Sequence, residues 1–127
     1  MITLNKEQIK RFHKKLIENT GGSDGIRDEN LLESALACPF HTFGGVELYT
    51  SVAAKIARIA YGLVCNHPFV DGNKRIGTYV MMILLELNHI NAGFTDDDVI
   101  EIGMGLASGK MDDKQLHDLI LQRSNGN

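Results

Sequence analysis

Between two apolar runs the chain reads "HPFVDGNKRIG", residues 67 to 77. A histidine, an acid, an asparagine and two cations surround one glycine turn, a mixture that packing alone does not ask for. Pro68 and Gly72 break the run, so the chain turns and a new helix starts at Asn73. A helix N-terminus offers unpaired N–H groups and the positive end of the dipole, which together make an anion site. Gly72 removes the side chain that would keep an anion away from those groups. Lys74 and Arg75 stand in the first turn, where the dipole disfavours cations, so a bound anion would explain them.

Asp71 narrows the anion to a nucleotide. A carboxylate beside phosphate repels it unless a cation lies between, and Mg²⁺ takes one or two carboxylates together with phosphate oxygens. His67 adds an imidazole, a side-chain type suited to work as a general base. Base, metal carboxylate and phosphate cradle are the parts needed for phosphoryl or nucleotidyl transfer to a hydroxyl. Taken singly, each residue also has a plain structural reading as a cap or a solvated charge.

Other patterns fail. "GLASGK", residues 105 to 110, is one residue short of a P-loop, and Met111 stands where a hydroxyl should hold Mg²⁺. "DDD" at 96 to 98 lacks the glycine and distal glutamate of a calcium loop and suits a helix N-terminus. His13, His41, His89 and His117 show no metal-ligand spacing and read as surface or helix-end residues. Neither Cys38 nor Cys65 has a local histidine to make it a thiol nucleophile.

The elements that must position this turn are helical. Leu4, Ile9, Phe12, Leu16 and Ile17 recur at helical spacing behind an Asn5 N-cap, and "TGG" at 20 to 22 closes the helix. Asp28 caps a second helix carrying Leu31, Leu32, Ala35 and Leu36, which Pro39 stops. "FHTFGGVELYT", residues 40 to 50, reads as a β-hairpin around Gly44 and Gly45, the only strand candidate in the chain. "SVAAKIARIAYGLVC" is a third helix with Lys55 and Arg58 as its wet stripe. "GTYVMMILLELNHI" is apolar nearly all round, as suits the centre of a bundle. Thr95 with Asp98, and Asp112 with Gln115, are capping boxes for a fifth and a sixth helix. The fifth closes near Gly109, and "RSNGN" at 123 to 127 is expected to fray. The expectation is an all-α bundle of about six helices with one hairpin flap, a single domain over residues 1–127.

Composition sets outer bounds. A net charge of −3 gives no broad electrostatic footprint for nucleic acid or for an anionic membrane. Two cysteines are too few for a disulfide framework, and the polar amphipathic start lacks a signal-peptide core. The longest apolar run, Tyr79 to Leu85, is too short to span a bilayer. These features suggest a reduced, cytoplasmic setting.

"HPFVDGNKR" closely resembles the core motif of the Fic/Doc superfamily, HPFx(D/E)GN(G/K)R. "GGSDGIRDENLLESAL" and "ASGKMDDKQLHDLI" extend the likeness over nearly the whole chain, and its length resembles that of Doc toxins. The resemblance implies a helical bundle with a β-hairpin flap, ATP and Mg²⁺, and modification of a protein Ser, Thr or Tyr hydroxyl. It gives His67 as general base, Phe69 as the inward anchor of the loop and Asp71 as the Mg²⁺ ligand. Gly72, Asn73 and neighbouring N–H groups become the anion hole, with Arg75 on phosphate and Lys74 beside it. The flap, with Phe43, Val46 and Tyr49, would align the target by main-chain pairing.

Lys74 stands where adenylylating Fic enzymes have glycine, and Thr78 stands where they carry a second arginine. The NKR triplet is that of Doc proteins, which implies phosphoryl rather than AMP transfer, with a threonine of elongation factor Tu as the implied target. Pro68 and Gly72 look more like the Fic form, which keeps AMP transfer open, and a non-catalytic nucleotide-binding module is the reading from another class. No self-inhibitory (S/T)xxxE(G/N) pattern occurs, which implies a separate antitoxin, expected in a groove beside the second and third helices. The isolated domain is expected to be a monomer.

Overall fold

The computed structural model describes residues 1–125. Six helices follow in order: α1 Lys6–Thr20, α2 Glu29–Ala37, α3 Val52–Cys65, α4 Asn73–Leu87, α5 Asp96–Ser108 and α6 Asp113–Asn125. A 3₁₀ turn at Cys38–Phe40 and a hairpin of β1 Thr42–Phe43 and β2 Val46–Glu47 lie between α2 and α3. The all-α bundle with one short hairpin is therefore the fold.

Local chemistry accounts for the helix ends. Asn5 and Gln8 form a reciprocal capping box at α1, as do Thr95 and Asp98 at α5. The Asp112 and Gln115 side chains exchange the same pair of bonds before α6, both at 2.8 Å. Asp28 accepts from the N–H groups of Asn30 and Leu31 at α2. Each cap satisfies donors that the first helical turn leaves open.

α3 and α4 form the centre. Ile56, Ile59 and Leu63 of α3 and Ile76, Val80 and Leu84 of α4 are fully buried. Ile9, Leu32, Ile102 and Leu116 close over them from α1, α2, α5 and α6. Burying one such side chain contributes about 1.5–3 kcal/mol. The α3–α4 crossing is tight at Gly77, where a Cβ would stand 2.5 Å from Val64 Cγ2 and 3.2 Å from Ala60 O. The helix carrying the motif is thus fixed against the core within two turns of its start.

Two expectations about exposure are corrected. Lys55 is no wet-stripe residue: it is buried, its ammonium capping the main-chain oxygen of Tyr49 and lying 3.3 Å from Glu47. Arg58 beside it is half-buried, over the Tyr61 ring and donating to the Tyr49 hydroxyl at 3.1 Å. Glu47 of β2 and Tyr49 after it thus meet this side of α3. The tail also departs from expectation. Arg123 is held by Asp98 at 2.9 Å, by Gly93 O at 2.9 Å and over the Phe94 ring, so helix runs on through Asn125. Residues 126 and 127 of the expected frayed tail lie outside the described residues.

Candidate active site

The motif joins the C-terminus of α3 to the N-terminus of α4. α3 ends at Asn66 in αR conformation, and His67 follows with φ 50, a left-handed value that a residue with a Cβ seldom adopts. The His67 side chain is exposed, and no hydrogen bond holds its ring among the described residues. Its backbone alone sets the direction of the Cα–Cβ bond. The chain then dives inward, and Phe69 is buried to 1 % exposure as the loop's anchor.

Asn73 begins α4 as expected, but its amide faces inward. The side-chain oxygen accepts from Phe69 N–H at 2.9 Å and the nitrogen donates to Phe69 O at 3.0 Å. Its side chain thus closes the turn, and its main-chain N–H is left open. Gly72 caps α4 at φ 77 without a side-chain bond, and a Cβ there would stand 3.1 Å from Ile17 Cδ1. Among the described residues no acceptor meets the first-turn N–H groups of Asn73, Lys74 and Arg75. An open cradle of donors results.

Asp71 borders this cradle. Its carboxylate accepts from Ser23 N–H at 3.1 Å and Gly72 N–H at 2.7 Å, and these two donors hold its pKa below the ordinary value. It stays ionised at neutral pH with its side chain 47 % exposed. A lone, half-exposed carboxylate suits a cation that keeps several waters and takes other oxygens from a substrate, as Mg²⁺ does. No cluster of three or more potential metal ligands occurs among the described residues.

The cations divide. Arg75 turns back to the end of α1, donating to Gly21 O at 2.8 Å and to the Thr20 hydroxyl, with Nη2 3.9 Å from Asp71 Oδ1. Lys74 is exposed and lays its stem along α5, where a Cβ on Gly103 would meet Lys74 Cγ at 3.0 Å. Thr78 is buried, its hydroxyl bonded to Lys74 O and Arg75 O, so it offers nothing to a phosphate.

Three supports lay outside the motif. His13 is not a surface histidine; it is 1 % exposed, stacked on Phe69 at 3.8 Å, with Nε2 2.7 Å from Asp71 O. The signal was its place between Ile9 and Ile17, four residues from each on the buried face of α1. Gly22 is the second, since a Cβ there would meet Asp71 Oδ2 at 2.6 Å. The third is the segment 25 to 28, which pairs with 68 to 70 through Val70 N–H to Gly25 O, and Arg27 and Asp28 N–H to Pro68 O.

The flap keeps Phe43 and Val46 exposed and paired with each other across the two-glycine turn. Tyr49 does something else: its hydroxyl and its carbonyl tie the flap's base to Arg58 and Lys55. It anchors the base of the flap. The concave surface beside Arg75 is a groove of about 480 Å³ bounded by α1, α4 and α5, with Leu16, Thr78 and Val99 among its walls. No helix among the described residues is long and apolar enough to cross a membrane.

Comparison with known proteins agrees with this geometry. Toxin Doc of Mycolicibacterium smegmatis is 37 % identical over 70 residues, a match that covers 55 % of this chain and 54 % of that protein. The chain thus spans about half the length of this curated relative. The pattern of the Fic/DOC family matches residues 3–85, from the start of the chain to the last turn of α4, with the motif loop and its helical cradle inside the match. The chain belongs to the Fic/DOC family.

Proposed function

We propose that this chain is a Doc-like toxin that transfers a phosphoryl group from ATP to a protein side-chain hydroxyl, and that a separate antitoxin restrains it. The observation that carries the reading is one turn presenting a free imidazole at one end and an open N–H cradle beside an ionised carboxylate at the other. His67 takes the proton of the target hydroxyl, whose oxygen bonds to the γ-phosphorus. The bond from that phosphorus to the β–γ bridging oxygen breaks, and ADP leaves. The N–H groups of Asn73, Lys74 and Arg75 hold the anionic phosphates. Asp71 would hold Mg²⁺, which neutralises phosphate charge when bound.

Lys74 and Thr78 favour phosphoryl over AMP transfer: the first adds a cation at the cradle, and the second leaves no further arginine to clamp terminal phosphates. AMP transfer remains the second reading, favoured by Pro68 and Gly72 in their Fic form. A threonine of elongation factor Tu is the proposed target, and the groove beside Arg75 is the proposed seat of the antitoxin. Parallel incubation of the chain and purified elongation factor Tu with α- and γ-labelled ATP tests the reaction. Label entering protein from the γ position alone supports it, whereas label from the α position alone replaces it with AMP transfer. His67→Ala should lower the transfer by about 10²–10⁴-fold. Unchanged transfer by that variant would remove His67 as base, and a folded wild type that binds ATP without turnover is a binding module.

A further inference from the structure

His67 stands in a costly conformation that its own side chain does nothing to hold. A left-handed φ at a residue with a Cβ is strained and persists only where surroundings over-determine it. At this point Arg27, from the loop before α2, reaches across. Its Nε donates to His67 O at 2.6 Å and its Nη2 donates to Asn66 O at 2.9 Å. The planar fork thus spans two consecutive carbonyls, those just before and just after the backbone changes hand. Lysine's single ammonium cannot match that geometry.

Charge favours the same place. The end of α3 carries the negative pole of its dipole, and its last turn holds no basic residue. Arg27 supplies the missing cation from another element. The next residues of the two segments are already zipped: Arg27 and Asp28 N–H to Pro68 O at 2.8 and 3.0 Å, and Ile26 bridged to Phe69. Those main-chain bonds fix the loop from Pro68 inward without the Arg27 side chain. The guanidinium therefore acts on Asn66 and His67 alone.

We infer that Arg27 is a positioning residue for His67, its guanidinium holding the left-handed turn that aims the imidazole outward. The inference rests on the transferase reading above, in which His67 is the base. Arg27 itself touches neither base ring nor phosphate. Its side chain is exposed, so a substitution removes little packing.

The test compares the wild type with Arg27→Met and Arg27→Lys in the full chain, isotopically labelled. The His67 Cα and Cβ shifts and its amide–Hα coupling report φ directly, whether or not the protein turns over. Transfer from γ-labelled ATP at saturating ATP, and ATP affinity by calorimetry, give the catalytic side. In Arg27→Met the left-handed signature of His67 should disappear and transfer should fall at least about tenfold, as a misplaced catalytic group does. ATP affinity should stay within about twofold, because the cradle lies beyond the main-chain zip. Arg27→Lys, which keeps the charge without the fork, should recover part of both signals, and it stands in if the methionine variant fails to fold. Retention of the left-handed signature in the variants overturns the inference, as does wild-type transfer, or a loss matched by equal loss of ATP affinity. Absence of transfer by the wild type would sink the transferase reading separately, with the His67 shifts still deciding what holds its backbone.

Discussion

The Nε2 of His13 lies 2.7 Å from the main-chain oxygen of Asp71, while its ring stacks on Phe69 at 3.8 Å with an interplanar angle of 10°. A carbonyl oxygen can only accept, so Nε2 carries the proton in this bond. One buried side chain of α1 thus fixes the loop's apolar anchor and the backbone of its acid. His13→Ala removes both a buried ring and the donor of a buried carbonyl. The expected cost is about 2–5 kcal/mol in urea unfolding, by analogy with large-to-small core changes. Loss below about 0.5 kcal/mol would mean that the loop holds itself.

The flap makes a prediction that separates docking from folding. In an antiparallel pair, bonded and non-bonded residue pairs alternate. Leu48 N–H bonds His41 O, and Phe43 with Val46 closes the turn. The pair between them, Thr42 and Glu47, therefore turns its main-chain groups outward, away from the hairpin. Thr42→Pro and Glu47→Pro each remove one outward donor and leave the hairpin's own bonds in place. One of the two should lower target modification at least tenfold, roughly the worth of one or two main-chain bonds, with ATP affinity unchanged. If both prolines are harmless, the flap is not the docking edge.

Acid stability should report the contact that orders the end of α6. The Arg123 guanidinium, followed by Thr95 N–H, holds the Asp98 carboxyl down from 3.8 to about 2. A carboxyl with a depressed folded pKa binds its proton more weakly in the folded chain than in the unfolded one. Its stabilisation is present in full above the unfolded value and disappears as pH falls from about 4 towards 2. Asp98→Asn should thus lower the melting temperature at pH 7 and bring it closer to wild type at pH 2. An equal deficit at both pH values would count against the pair.

What could be read in the sequence was what local chemistry determines. The caps at Asn5, Asp28, Thr95 and Asp112 each involve partners within three residues, and each is formed. Phe69 inward and Asn73 at a helix start followed from the motif. The supports that hold the motif still were hidden, because their partners are far away in sequence. Arg27 bonds carbonyls 39 and 40 residues on, and His13 bonds one 58 residues on. Lys55 looked wet because lysine is ordinarily exposed, yet Tyr49 O and Glu47 take up its ammonium, and nothing in residues 52 to 65 announces those partners. The tie of Tyr49 to Arg58 was hidden in the same way, because it joins the segment after the hairpin to the second turn of α3.

The last prediction concerns "GGSDG", the loop that follows the end of α1. At Gly22 φ is 116, and an added Cβ would meet Asp71 Oδ2 at 2.6 Å and Arg75 Nη2 at 3.0 Å. The position is thus closed to a side chain twice over, by backbone conformation and by the site itself. Gly22→Ala must displace the loop or the carboxylate, and the Ser23 N–H that holds Asp71 moves with it. The larger effect should fall on the site, since Gly22 is exposed and the added Cβ stands closer to the Asp71 carboxylate than to Ile17 Cδ1, at 3.1 Å. We expect a stability loss of about 1–3 kcal/mol from the backbone. Asp71, losing the Ser23 N–H, should titrate at a higher pH, read from its carboxyl carbon shift, with its pKa nearer the ordinary 3.8. Gly21→Ala, whose Cβ would meet nothing within 4 Å at φ 86, is the control for backbone strain alone. If both variants leave the Asp71 titration where the wild type has it, the glycine serves the turn and not the acid.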